Sequence, residues 1–513
     1  MRTLFTTFIL SFFVLFSKAQ YDIKINFKGC KDTTVYLVTH LWQSNSIVDS
    51  CKKVKNGVIR FQGKKPLEKG FYILVNQEKN TTFFEFFVGE QQKFSINSEF
   101  ENVKRSLKCT GSKENELYFE YERFFADKDA EFLGYINESK GKSKTDSAAF
   151  IAEKIKKLQE ELKKFDPVFK EKIKGTLVEE FFAIKTEQQA TDIPKASNGR
   201  PDSLYQYFWY KNHFWDGVNL ASDFAIHTPH LDDKVKRYFE QVTVQHPDTA
   251  IKEIGYVMRK CKPGTLTFQM LLGHFTYKYE TNKTMTFDRK GNSITYEKVF
   301  IYLVDSFIAN GKAKGVYTDE TVEKIKEKAN NNRNILPGAV APDIFVLDTT
   351  DGREIIKLRF DTCSNSSILT RYYEQHAARL STMWKTLHQV NAKYTVLVFW
   401  ASDCGHCKTE MPRLNDTLKT IKGKIDFKVF AVQTKDDFEP WRKFIIDNKL
   451  DFINVFDPVH INSYRTKYDV EATPVIFLLD KDKRIKAKKI GVPQVVELLE
   501  IFDKIEKENS KEK

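Results

Sequence analysis

Between residues 20 and 111, apolar and polar positions alternate in short runs, at 22–27, 34–41, 47–54, 58–62, 71–75 and 83–88. Strand side chains point alternately to two faces, so period-two runs rich in β-branched and aromatic residues predict strands. Asn56-Gly57 predicts a hairpin turn, because both central positions of such a turn need positive φ. With no helical period in the segment, a small all-β sandwich or barrel is expected over 20–111, ending near Cys109-Thr110-Gly111.

From residue 112 the pattern turns helical. Ile151, Ile155, Leu158, Leu162 and Phe165 recur at helical spacing and make an amphipathic stripe. Residues 192–201, with two prolines and a glycine, read as a linker. Helices resume from 203 to about 332, broken at 227–230 and 261–264. A helical middle domain is therefore expected over 112–335, with a boundary at Leu336-Pro337-Gly338. Beyond it strands and helices alternate. Runs at 343–347 and 354–358 flank Asp351-Gly352 and predict a hairpin, and a helical insertion is read at 367–389. Next come strand Tyr394–Trp400, helix 407–419, strand 427–432, helix 437–447, strand 452–455 and helix 461–467. Strands 475–479 and 484–490 and a helix over 493–506 close the chain. Buried strands alternating with helices predict a mixed α/β sheet covered on both faces, over 336–508.

A chain of 513 residues exceeds one compact core, which agrees with several domains. Hydrophobic residues at 41% and charged residues at 29% fit a globular protein, and 43 phenylalanines predict aromatic cores. The net charge of +13 is spread through interleaved Lys and Glu rather than gathered on one face, which argues against a nucleic-acid partner. Residues 1–19 combine Arg2, an apolar run over 4–16 and Ser17-Lys18-Ala19, the pattern of a signal peptide cleaved after Ala19. The run is shorter than the ~20 residues a membrane span needs. Gln20, not Cys, follows the cleavage point, so no lipid anchor is expected, and no stable membrane insertion after cleavage.

Seven cysteines cannot all pair with one another. Cys30, Cys51, Cys109, Cys261 and Cys363 are scattered and read as small buried residues, although a Cys30–Cys51 bridge stays open. Cys404 and Cys407 are the close pair, in Cys404-Gly405-His406-Cys407, where an apolar strand hands over to a helix. Disulfide exchange needs a thiolate, and the N–H groups and dipole at a helix N-terminus favour that anion. Cys404 is the expected nucleophile and Cys407, one turn on, the resolving thiol. An imidazolium at His406 would favour the thiolate further. A structural disulfide or half a zinc site are the alternatives, but no second Cys/His pair follows to close a zinc site. His213, His227 and His230 lie in an aromatic-rich helical region and read as packed or surface residues, so neither a metal nor a cofactor is expected. Ala472-Thr473-Pro474 precedes an apolar strand; a cis bond before Pro474 would leave the Thr473 backbone free to pair with an extended substrate.

These features resemble the TlpA/ResA-like branch of the thioredoxin superfamily. The matching residues are Gly338-Ala339-Val340-Ala341-Pro342-Asp343, Phe399-Trp400-Ala401, Cys404-Gly405-His406-Cys407, Glu410-Met411-Pro412 and Thr473-Pro474, over about a third of the chain. The resemblance implies a C-terminal thioredoxin-like fold, work in the periplasm or cell envelope, and a cis Thr473–Pro474 bond. It also implies proton transfer assisted by Glu410 and a substrate face including Thr473 and Trp400. Two positions depart from thioredoxins: Asp403 stands where Trp is common, and Val398 where a buried acid is carried. The first two-thirds of the chain more loosely resembles the uncharacterised β and helical domains that precede such modules in envelope proteins. The expected activity is reduction or isomerisation of protein disulfides, with a membrane thiol–disulfide electron donor re-reducing the pair. A dithiol oxidase, or a binding protein using the module as scaffold, are the alternatives. Peroxide reduction is disfavoured, since no Thr stands three residues before a lone cysteine.

Overall fold

The computed structural model describes residues 19–76, 81–282, 284–288 and 291–511; residues 1–18 of the expected signal peptide lie outside them. The N-terminal strands are β1 (Tyr21–Lys28), β2 (Val35–Leu41), β3 (Ser44–Cys51), β4 (Val58–Gly63), β5 (Gly70–Asn76), β6 (Thr81–Val88), β7 (Lys93–Glu99) and β8 (Lys108–Thr110). They form two four-stranded sheets, ordered β4-β1-β7-β8 and β3-β2-β5-β6. Alternation works as expected: β1 buries Tyr21, Ile23, Ile25 and Phe27, and β4 buries Ile59 and Phe61. The inward residues meet in an aromatic-rich core with Phe71, Phe86 and Phe87.

One turn does something other than predicted. Asn56 and Gly57 do take positive φ, 51° and 73°. The strands they join, however, belong to different sheets, because β4 pairs antiparallel with β1 and not with β3. A Cβ on Gly57 would run into the Phe27 carbonyl, so the glycine also permits a close backbone approach.

Helices Lys113–Ser139 and Lys144–Ile173 follow, each capped by a serine, Ser112 and Ser143. They pack together, with Phe124 and Phe165 stacked at 3.8 Å. Of the predicted stripe, Leu158 is buried and Ile155 is exposed. The chain divides into two compact units, Met1–Val244 with Tyr256–Met270, and Gln245–Gly255 with Leu271–Lys513. The helical reading up to 332 needs correction inside the second unit. There a hairpin of β9 (Met285–Phe287) and β10 (Ser293–Thr295) interrupts the helices, its strands being too short for their alternation to register.

The remaining strands are β11 (Phe345–Asp348), β12 (Lys385–Thr386), β13 (Tyr394–Trp400), β14 (Phe427–Gln433), β15 (Ile453–Phe456), β16 (Val475–Asp480) and β17 (Ile485–Lys488). They form one mixed sheet ordered β12-β11-β15-β14-β13-β16-β17, a thioredoxin-like α/β domain. β13, β14 and β15 are parallel, and β16 is antiparallel to β13. Every residue of β13 is buried, because apolar clusters cover both sheet faces. Val396, Val398 and Trp400 join the cluster containing Cys407, Met411 and Leu414; Leu397 and Phe399 point to the other.

Two local expectations fail here. Residues 349–356 are a helix, Thr349–Ile356, capped by Asp348, and not a hairpin. Gly352 serves close approach within that helix, since a Cβ would strike the Phe456 ring. The insertion is helical only over Ser366–Ser381; β12 and a 3-10 turn, Leu387–Gln389, follow. Among the described residues no helix is long and apolar enough to cross a membrane.

Candidate active site

The sheet delivers β13 to Trp400 and then breaks off. Gln433, the last residue of β14, and Thr434 just after it pin the turn that follows. Gln433 accepts from the Ser402 N–H and donates to the Ser402 hydroxyl, each at 3.2 Å and buried. Thr434 donates its N–H and its hydroxyl to the Trp400 carbonyl. The helix Gly405–Lys419 then starts with Cys404 as its N-cap, a position where the first N–H groups lack helical partners. The Cys404 sulfur accepts from the Cys407 N–H at 3.5 Å and its S–H donates to the Thr473 carbonyl at 3.3 Å. Thr473–Pro474 is cis, as the resemblance implied. Cys404, Cys407, Thr473 and Pro474 are therefore together in space, although 69 residues separate Cys404 from Thr473.

The two sulfurs differ in environment. Both are thiols; Cys404 is partly exposed and Cys407 fully buried. Burial alone would push the Cys404 thiol up. The Cys407 N–H, the Thr473 side chain, the Cys407 thiol and the His406 N–H outweigh it and hold Cys404 below the ordinary thiol range. For Cys407 burial dominates and pushes the thiol up to about 11. One sulfur is thus prepared to ionise and the other to stay protonated.

The other expected site residues fall out unevenly. His406 is exposed, and the part of it that reaches the sulfur is its backbone N–H. Glu410 is half-buried and paired with Arg413 at 3.4 Å. Trp400 needs correction as a substrate-face residue: it is fully enclosed in the core, with its ring 5.4 Å from Phe444. The pinning residues Gln433 and Thr434 were missed. Their signal was a polar pair at the end of an apolar strand, and only the register, Trp400 opposite Gln433, gives it meaning.

Beside Thr473 opens a cleft of about 460 Å³, lined in part by Lys435, Ser463, Tyr464 and Glu471. An adjoining cleft of about 400 Å³ shares Lys435 and Tyr464 and reaches Asp457 and His460. A further cavity, about 750 Å³, lies where β14 begins and contains no cysteine. Cys30 and Cys51 are thiols, not a bridge. Of the three histidines singled out above, His213 pairs with Asp216 and His227 meets the His40 carbonyl at 2.7 Å. Burial pushes His230 down to about 4. Among the described residues no group of three metal-ligating side chains occurs.

Residues 376–488 match the AhpC/TSA family, and residues 21–118 match a domain of unknown function, DUF4369. No curated protein matches. Among solved structures, a domain of a possible thiol-disulfide isomerase from Cytophaga hutchinsonii is 31% identical, over 34% of this chain and 96% of its own, with a TM-score of 0.26. A thioredoxin-like protein from Bacteroides caccae is 16% identical, over 61% of this chain and 99% of its own, with a TM-score of 0.31. The thioredoxin domain of a thiol-disulfide oxidoreductase from Bacteroides vulgatus is 23% identical, over 32% of this chain and 96% of its own, with a TM-score of 0.24. Together with the seven-stranded sheet, the match over 376–488 makes the C-terminal part of this chain a thioredoxin-like domain of the AhpC/TSA family, carried behind an N-terminal DUF4369 domain.

Proposed function

We propose that the protein is an exported thiol–disulfide oxidoreductase that reduces or isomerises disulfides of other proteins. The observation that carries this reading is the asymmetry of the pair, an acidic, accessible Cys404 beside a buried Cys407. The Cys404 thiolate attacks one sulfur of a substrate disulfide; that S–S bond breaks and the other substrate sulfur leaves as a thiolate. Cys407, losing its proton, then attacks the Cys404 sulfur and expels the second substrate thiolate. Two electrons pass to the substrate and the Cys404–Cys407 disulfide forms. Repeated reduction requires a dithiol donor, for which a membrane thiol–disulfide carrier is the proposed class. Export to the periplasm or cell envelope is supported by the signal-like residues 1–19.

The test is reduction of insulin by dithiothreitol, followed as turbidity, with wild type and Cys404→Ser. Wild type accelerates precipitation and Cys404→Ser does not; equal rates would overturn the reading. One observation favours the opposite direction. Stabilising the Cys404 thiolate stabilises the reduced pair and makes the disulfide a stronger oxidant. A measured potential above about −180 mV would assign a dithiol oxidase, and one near about −270 mV a reductase.

A further inference from the structure

Asp403 immediately precedes Cys404, and a carboxylate so placed opposes ionisation of the thiol. The hydrogen bonds at the helix start nevertheless hold Cys404 below the ordinary thiol range. The loop after β14 supplies a countercharge: Lys435 Nζ stands 3.8 Å from Asp403 Oδ2. The backbone leading into Lys435 is held in place. Its neighbours Gln433 and Thr434 make the hydrogen bonds that pin Ser402 and Trp400. We propose that Lys435 is a positioning residue that offsets the charge of Asp403 and so keeps Cys404 reactive.

The inference rests on the reading of Cys404 as the attacking sulfur. The other charged groups around the turn are His406, Lys408, Glu410, Asp436 (paired with His460 at 3.7 Å) and Glu471. His406 is exposed on the helix, Glu410 carries its own partner Arg413, and Glu471, before Thr473, is itself acidic. Both side chains of the Lys435–Asp403 pair are about half exposed, at 57% and 52%, so solvent screens them. The expected effect is therefore about twofold to fivefold in rate at low salt, shrinking as ionic strength rises.

The experiment is the pH profile of iodoacetamide alkylation at Cys404 in the full chain, with Cys363 as internal reference. Wild type, Lys435→Met, Asp403→Asn, the double variant and Lys435→Arg are compared. Lys435→Met should move the profile to higher pH and Asp403→Asn to lower pH. The double variant should return near wild type, and Lys435→Arg should stay there. A Lys435→Met profile that coincides with wild type overturns the proposal, as do single variants that both shift the same way. The two readings fail separately. If wild-type Cys404 reacts no faster than Cys363, the proposed function falls, while opposite shifts of the two variants still uphold the role of Lys435.

Discussion

Alkylating the reduced protein at pH 7 should label Cys404 and Cys407 at very different rates, although only Gly405 and His406 separate them. A thiol titrating at about 11, as Cys407 does, exposes about one part in ten thousand as thiolate at pH 7. A thiol held below 9.0, as Cys404 is, exposes at least about one part in a hundred. The populations thus differ by at least about a hundredfold. The more basic thiolate is intrinsically the better nucleophile, and a Brønsted slope near 0.4–0.5 over about two pH units returns roughly tenfold to Cys407. About tenfold in favour of Cys404 remains from ionisation, before any steric term. Cys407 has no accessible surface, so exclusion of the reagent widens the gap. The assay is timed quenching with iodoacetamide, followed by peptide mass mapping. Labelling of the two cysteines within threefold of each other, or of Cys407 first, would refute the reasoning. In Cys404→Ser, labelling of Cys407 should remain slow, because burial and not the neighbouring sulfur is the larger cause of its raised pKa.

Two further predictions concern the framework. Lys488 on β17 is buried and approaches Glu297 at 3.2 Å, as an ion pair without hydrogen-bond alignment. Burial holds its ammonium below the usual lysine range, partly offset by Glu297. Glu297→Gln leaves that charge unpaired and should cost about 3–5 kcal/mol in urea unfolding at pH 7. With its folded pKa depressed, Lys488 binds fewer protons folded than unfolded, so stability rises with pH across the interval between the two values. The deficit should therefore shrink toward pH 10; a deficit that is independent of pH would discount the ion pair. Gly352→Ala should lower the thermal midpoint, since overpacking against the buried Phe456 ring costs about 1–3 kcal/mol and outweighs a helix-propensity gain of about 1 kcal/mol. Phe456→Leu in the same chain should recover part of the loss, and no recovery would point to a cause other than the clash.

By itself the sequence determined the strands, through apolar alternation that leaves one face for a core, and β13, through a run too apolar to face water. It also determined the reactive pair, because a CxxC between such a strand and a helix puts the first sulfur at unpaired N–H groups. Only the tertiary structure decided which strands the Asn56-Gly57 turn joins, since pairing depends on partners distant in the chain. Gly352 misled for a related reason: glycine marks either a turn or a close approach, and only the packed Phe456 tells which. Trp400 sits in a motif beside the site, yet strand alternation turns its ring into the core. Gln433, Thr434 and Lys435 became legible only when parallel pairing of β13 with β14 brought residues some thirty positions away to the cysteine turn. Local periodicity is written along the chain, whereas the electrostatic surroundings of a sulfur are the sum of groups that only folding brings within a few ångströms.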